Sequence, residues 1–169
     1  MLIRQETKDD HAAVHSLVKT AFKYAEHSDG SEHCLVDALR KSSAFIPELS
    51  LVAELDGKLA GHIMFTKGLA GSRTVLILAP LSVLPEFQNR GIGTALIKEG
   101  HMKAEAMGYD YSIVVGSETF YPRLGYIKAD TLGLKTPDGI DPKNFMAIKL
   151  NKNAGNISGA VTYPKEFGM

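Results

Sequence analysis

Residues 74–126 constrain the fold more than any other part of the chain. Residues 74–83 are an apolar run of high β-propensity. A turn follows, made of Gln88, Asn89, Arg90, Gly91, Ile92, Gly93 and Thr94. A helical period then runs to Met107. Gly93, Leu96, Ile97, Gly100, Ala104 and Met107 share one face; Thr94, Lys98, His101 and Glu105 share the other. Gly100 costs about 1 kcal/mol of helix propensity against Ala, so close packing on a sheet is its expected reason. Gly108 suits the helix exit. Residues 111–115 form a second buried-strand run. Two strands joined by a helix in this way are expected to lie parallel.

Upstream, the pattern is different. Residues 2–5 suggest a short strand. Thr7 with Asp10 resembles a capping box, and Val14, Leu17, Val18, Ala21 and Phe22 recur at helical spacing. Residues 26–30 form a polar break. Ser31 is placed to cap a second helix with Cys34, Leu35, Ala38 and Leu39 on its buried side. Ser42, Ser43 and Pro47 read as a loop. Residues 51–55 and 59–66 flank Asp56-Gly57, a hairpin signal because a type I′ turn needs positive φ at both central positions. Residues 68–72 turn the chain again, so residues 51–83 read as three consecutive antiparallel strands.

Downstream, residues 119–124 read as a short helix or turn that Gly125 ends. Strands are expected at 126–129 and 145–150, with loops at Thr136-Pro-Asp-Gly and Asp141-Pro-Lys-Asn. Residues 153–169 have no clear period. The expected fold class is α/β with a mixed sheet, mostly antiparallel with one parallel pair, and helices on both faces. The length of 169 residues fits a single domain over 1–169, with 151–169 as a tail packed on it.

Composition bears on what such a domain binds. Lys plus Arg equals Asp plus Glu at 19 each, so no net basic field favours nucleic acid or an anionic membrane surface. No apolar run is long enough to cross a bilayer, and the N-terminal residues lack the pattern of a signal peptide. One cysteine, Cys34, excludes an internal disulfide and fits a reducing, cytoplasmic setting. It is expected to be inert. No His pair with a third ligand suggests a metal; His11 and His15, four apart, read as an exposed polar face.

The turn at 88–94 carries the chemistry. Gly91 and Gly93 lack a Cβ, so an oxygen-bearing ligand can approach the backbone. The first-turn N–H groups of the helix have no intrahelical partner, and the helix dipole favours an anion there. Arg90 can add a charge-assisted contact. No Gly-Lys-Ser/Thr ending makes it a P-loop, and the antiparallel strands before it argue against a dinucleotide fold. An anion-binding turn and a merely tight turn both fit these residues alone.

The combination narrows the choice. Gln88-x-x-Gly91-x-Gly93 after a long strand, then Tyr121-Pro-Arg-Leu-Gly125-Tyr126, resembles the Gcn5-related N-acetyltransferase (GNAT) superfamily. The first segment matches its Q/R-x-x-G-x-G/A signature and the second its Y-x-x-x-G-F/Y segment. The resemblance covers nearly the whole chain. Glu32-x-x-Leu35-Val36-x-x-Leu39-Arg40, the 78–83 strand, the 116–126 segment and Phe145-Met146 with the 159–167 tail further resemble bacterial YhbS-like N-acetyltransferases, a subgroup that implies no defined substrate.

The resemblance implies a GNAT fold and acetyl-CoA as co-substrate. Leu81, Ser82 and Val83 would contact its acyl arm through the backbone, with Val115 and Gly116 across a cleft. Amides of Gln88, Asn89, Arg90, Gly91, Ile92, Gly93 and Thr94 would hold the pyrophosphate. Tyr121 would stand near the thioester sulfur as general acid, since a phenol has a proton to give the leaving thiolate. Glu32 and His33 would wall the acceptor site. For the general base, Glu118 is favoured over Glu32, His62 and Glu54, and a water chain serves equally well. The expected activity is acetyl transfer to a primary amine, small-molecule or peptide; the alternative is a non-catalytic acyl-CoA sensor. The tail is open to two uses, covering the acceptor cleft or forming a homodimer contact.

Overall fold

The computed structural model describes residues 1–169. Its elements are β1 (Leu2–Gln5), α1 (His11–Phe22), α2 (Glu32–Arg40), β2 (Phe45–Leu55), β3 (Lys58–Ala70), β4 (Arg73–Val83), α3 (Ile92–Ala106), β5 (Tyr111–Val115), β6 (Ile127–Lys128), β7 (Leu134–Lys135), β8 (Phe145–Lys149) and β9 (Gly159–Thr162). The sheet runs β1-β2-β3-β4-β5-β8-β6, with β9 bonded to β3 and β7. In that main path every pairing is antiparallel except β4 with β5, as the helical crossover requires.

Local chemistry explains the frame. Asp56 and Gly57 both have positive φ, 52° and 77°, which is the hairpin turn their sequence demands. Alternation along β3 then sorts the layers. Ile63 and Phe65 pack with Ile92, Leu96 and Ile97 of α3 on one face. Met64 and Val52 pack with Val14, Leu17, Val18, Val36 and Leu39 of α1 and α2 on the other. A Cβ on Gly100 would stand 2.3 Å from the Phe65 ring, so the glycine admits that ring against the helix.

Several expectations needed correction. Cys34 is exposed, because Val36 and Leu39 take the buried face of α2. β2 begins before Pro47, in a stretch whose register slips between Phe45 and Ser50, where a missing N–H breaks no regular ladder. Gly68 lies inside β3, since that strand continues to Ala70 before the turn; a Cβ there would meet Ile77 and the Thr162 carbonyl at 3.0 Å. Met107 is exposed, whereas His101 turns inward onto Tyr126. The segment 126–129 contributes only two strand residues before a 3-10 turn. Within 153–169, Val161 and Thr162 pair with Ala70 and Leu69, a strand too short to show a period.

The parallel pair is brief: Leu76 faces Ser112 and Ile77 faces Ile113. Beyond Ile77, β4 carries a bulge, since Phe65 pairs with Leu78 but Ile63 pairs with Leu81. A bulge bends its strand and increases the twist. Here it coincides with the end of pairing to β5, so the two strands diverge. The β5-facing edge of β4 from Leu78 to Val83 has no strand partner.

Candidate active site

The site is built where that divergence meets the start of α3. A 3-10 turn over Pro85–Phe87 leads out of β4. Asn89 and Gly91 both sit in the left-handed region, φ 61° and 79°. Their alternation with ordinary residues aims successive N–H groups to one side, an anion-binding concavity. The amides of Asn89, Arg90, Gly91, Ile92, Gly93 and Thr94 donate to nothing within the chain; the first helical bond is Ala95 N–H to Gly91 O, 3.0 Å. Nothing lies within 4 Å of where a Gly91 Cβ would be, so the approach to these donors is open.

Gln88 departs from the expected role. Its amide donates to Pro85 O at 3.3 Å, and its side-chain Nε2 donates to Val83 O at 3.1 Å. It closes the turn from inside. The Arg90 guanidinium lies 5.6 Å from the Phe87 ring centroid on an exposed surface. The turn therefore presents six free backbone donors and one adjacent cation, a set that suits an anion.

The arm of β4 supplies the next wall. Leu81 and Val83 turn toward α3, where both stand within 3.8 Å of a Cβ placed on Gly93. Ser82 points to the opposite face, buried, with its hydroxyl unpartnered. Across the divergence, Val115 is 43% exposed although it lies in a strand, because β4 has moved away. The backbone of Gly116 is tied to Asn144: its N–H donates to Asn144 O at 2.9 Å, and its carbonyl accepts from Asn144 Nδ2 at 3.0 Å. A Cβ at Gly116 would stand 2.4 Å from the Tyr121 ring. Gly116 thus serves by giving Tyr121 a flat place to lie.

Tyr121 opens the short helical turn Tyr121–Leu124, ended by Gly125 at φ 99°. It is 9% exposed, and its ring meets Phe120 and Tyr126 edge-on at 5.0 and 5.5 Å. Burial alone raises its pKa to about 12, and no hydrogen bond within the chain offsets this. The phenol is held protonated at neutral pH with its proton uncommitted.

Glu118 is exposed, three residues earlier. Its carboxylate accepts from Asn144 Nδ2 at 2.9 Å. Hydrogen bonds from its own backbone and from Asn144 keep its pKa below the usual carboxylate value. Glu54 is ion-paired to Arg4 at 3.1 Å. His62, one of the candidate bases, is 0% exposed under α1 and α2. It belongs to a polar cluster that sequence reasoning missed. Arg40 clasps Glu6 with Nε and Nη2, each at 2.9 Å. Ser50 Oγ donates to Glu6 at 2.6 Å and lies 3.1 Å from His62 Nε2. Glu6 and Ser50 stand in otherwise unremarkable sequence, and no local period marks them as partners.

Glu32 accepts from Ser28 Oγ at 2.6 Å and lines a cavity of about 270 Å³ with His27, Asp29, Ser31, Leu35, Glu166 and Phe167. His33 instead packs edge-on against His15, 4.8 Å between centroids. Glu32 and His33 are therefore separated by the turn of α2. His15 Nδ1 in turn meets Asp37 at 2.7 Å. A larger cavity, about 510 Å³, lies at the opposite end of β4 beside Lys67, Arg73 and Asp110. No group of three His, Cys, Asp or Glu side chains is placed to hold a metal ion. No helix is long and apolar enough to cross a membrane.

Known proteins resemble this chain in sequence and fold. The Acetyltransferase (GNAT) family model matches residues 11–126. The uncharacterized N-acetyltransferase YjhQ of Escherichia coli K12 is 37% identical over 123 residues, 70% of this chain and 65% of its own length. The uncharacterized N-acetyltransferase YhbS of the same strain is 28% identical over 99% of this chain and 98% of its own. Among solved structures, a GNAT family acetyltransferase from Brucella melitensis in complex with acetyl-CoA superposes with a TM-score of 0.80 at 30% identity, covering 98% of this chain and 97% of that one. The Escherichia coli YhbS structure in complex with CoA gives 0.89 at 25% identity, covering 99% and 92%. With the diverging strand pair, the open glycine turn and the buried tyrosine in place, the chain belongs to the GNAT acetyltransferase family as a YhbS-like member.

Proposed function

We propose that this protein transfers an acetyl group from acetyl-CoA to a primary amine by direct attack within a ternary complex. The observation that carries the reading is the run of six unpartnered amides at 89–94 beside the unpaired edge of β4. The YhbS and Brucella neighbours, solved with CoA and acetyl-CoA, support it. Bound along that edge, acetyl-CoA supplies a thioester, an acyl carbon with a good leaving group.

This chain's residues do the rest. The turn anchors two negative phosphates. The backbone of Leu81, Ser82 and Val83 orients the arm, and an N–H on the free β4 edge donates to the acyl oxygen as its charge grows. Tyr121 holds a proton at its hydroxyl for the departing sulfur. Glu118, ionised at neutral pH, attracts the incoming ammonium and accepts its proton through water. Glu32, with Asp29 and Glu166 beside it, forms an acidic wall for a cationic acceptor. The exposed thiol of Cys34 is in keeping with a cytoplasmic setting.

Release of free thiol from acetyl-CoA tests this, with a panel of spermidine, lysine, an unblocked peptide and an aminoglycoside as acceptors. Wild-type protein should acetylate at least one. Tyr121→Phe should lower kcat by roughly 100-fold or more with little change in the KM for acetyl-CoA. Full activity of Tyr121→Phe across pH would remove the acid role and leave the cofactor site standing.

A further inference from the structure

Behind Tyr121 lies a second tyrosine that the reaction has not used. Tyr126 is 1% exposed, and its hydroxyl contacts two side chains from two different elements. His101 Nε2, from α3, lies 2.9 Å away, and Ser112 Oγ, from β5, lies 2.9 Å away. Two arrangements pair every group of this buried trio, and both use the Tyr126 proton internally; donation by both partners would leave that buried proton unpaired. Either Ser112 donates to Tyr126 and Tyr126 to His101, or His101 donates to Tyr126 and Tyr126 to Ser112. Tyr126 therefore has no proton to offer a leaving group, while the Tyr121 hydroxyl, 5.5 Å away ring to ring, has no partner at all.

The two rings meet at 76°, edge to face. Tyr121 is thus boxed by Gly116 below, Phe120 on one edge and Tyr126 on another. Gly116 and Phe120 belong to the same loop as Tyr121. Tyr126 alone is tied by side-chain hydrogen bonds to the helix whose N-terminus carries the open amides and to the strand that walls the cleft. A hydrophobic residue at this position would fill the space equally well, but it would not fasten the ring to α3 and β5.

We infer that Tyr126, pinned by His101 and Ser112, is a positioning residue that holds the Tyr121 ring at the angle from which its hydroxyl serves the acyl site. The inference rests on the acid role of Tyr121 given above. It makes placement of the acid depend on α3 and β5, so the same two elements that frame the cofactor also set the acid.

A double-mutant cycle tests it, with thiol release from acetyl-CoA read against the fastest amine of the panel. Tyr126→Phe, which keeps the ring and removes both hydrogen bonds, should lower kcat by about tenfold and leave the KM for acetyl-CoA within twofold, since misplacement of a reacting group is costly. Tyr126→Leu should lower it further. In a Tyr121→Phe background, Tyr126→Phe should cost nothing more, because the group it positions is gone. Losses that multiply would mean a purely structural role and would overturn the inference, with the acid role intact. A neutral Tyr121→Phe would overturn both. An arm independent of the acceptor is the crystal structure of Tyr126→Leu with CoA: a Tyr121 ring rotated or disordered supports the inference, and an unmoved ring overturns it.

Discussion

At the scale of single residues, the largest departure from expectation is His62. A histidine offered as a candidate base is wholly buried, and burial holds its pKa down at about 4, with Glu6 opposing the shift and Arg40 adding to it. The sign of the consequence is fixed. Between pH 6.5 and about 4 the unfolded chain takes up a proton that the native His62 refuses. Stability is therefore full above the unfolded value, falls as pH drops through that window and flattens below it. The loss for this one group is on the order of 3 kcal/mol. His101, half-buried and also held near pKa 4 by desolvation, acts in the same direction. Urea unfolding from pH 7 to pH 4 should show this slope, and His62→Asn should remove about one proton from it. An unchanged slope would mean that His62 titrates normally. The short turn at 121–124, ended by Gly125, was legible from the sequence because its signals are local. The cluster of Glu6, Arg40, Ser50 and His62 was not, because its members come from separate elements and meet only across the folded sheet.

At the scale of elements, the turn and the helix behind it need glycine for two different reasons. At Gly91 the reason is backbone conformation and, on the proposed reading, ligand space. Its φ is 79° and nothing stands near its missing Cβ. Gly91→Ala should cost about 1 kcal/mol of stability from left-handed strain and weaken CoA binding disproportionately. At Gly100 the reason is packing. A Cβ there collides with Phe65, so Gly100→Ala should destabilise by about 1–3 kcal/mol, even though Ala is the better helix former. Thermal melting with and without CoA separates the two: the ligand-induced shift should shrink for Gly91→Ala and persist for Gly100→Ala. The sequence foretold both glycines and the strand–turn–helix order around them. It could not foretell the β4 bulge, because one extra residue in a strand leaves no compositional mark and appears only when β3 and β4 are set in register.

At the scale of the molecule, the antiparallel meander, the parallel crossover and the placement of helices on both faces all followed from periodicity. What lay beyond periodicity was the tail. Four strand residues cannot show alternation, yet β9 joins β3 to β7, and Phe167 reaches both α2 and the acidic cavity. Removal of residues 153–169 should lower the melting temperature, since Ala70, Tyr111 and Leu134 lose the cover of Ile157 and its neighbours. Glu166→Gln should leave the melt unchanged and weaken a cationic acceptor, read as a raised KM for the amine. An unchanged amine KM would take Glu166 out of the acceptor wall.

The central claim is that residues 89–94 and the free edge of β4 hold the pyrophosphate and acyl arm of acetyl-CoA. Calorimetric titration of the purified chain with CoA tests it most directly. The account predicts saturable binding to one site per chain, weakened in Gly91→Ala and accompanied by a stabilising thermal shift. No heat of binding and no shift at millimolar CoA would contradict it.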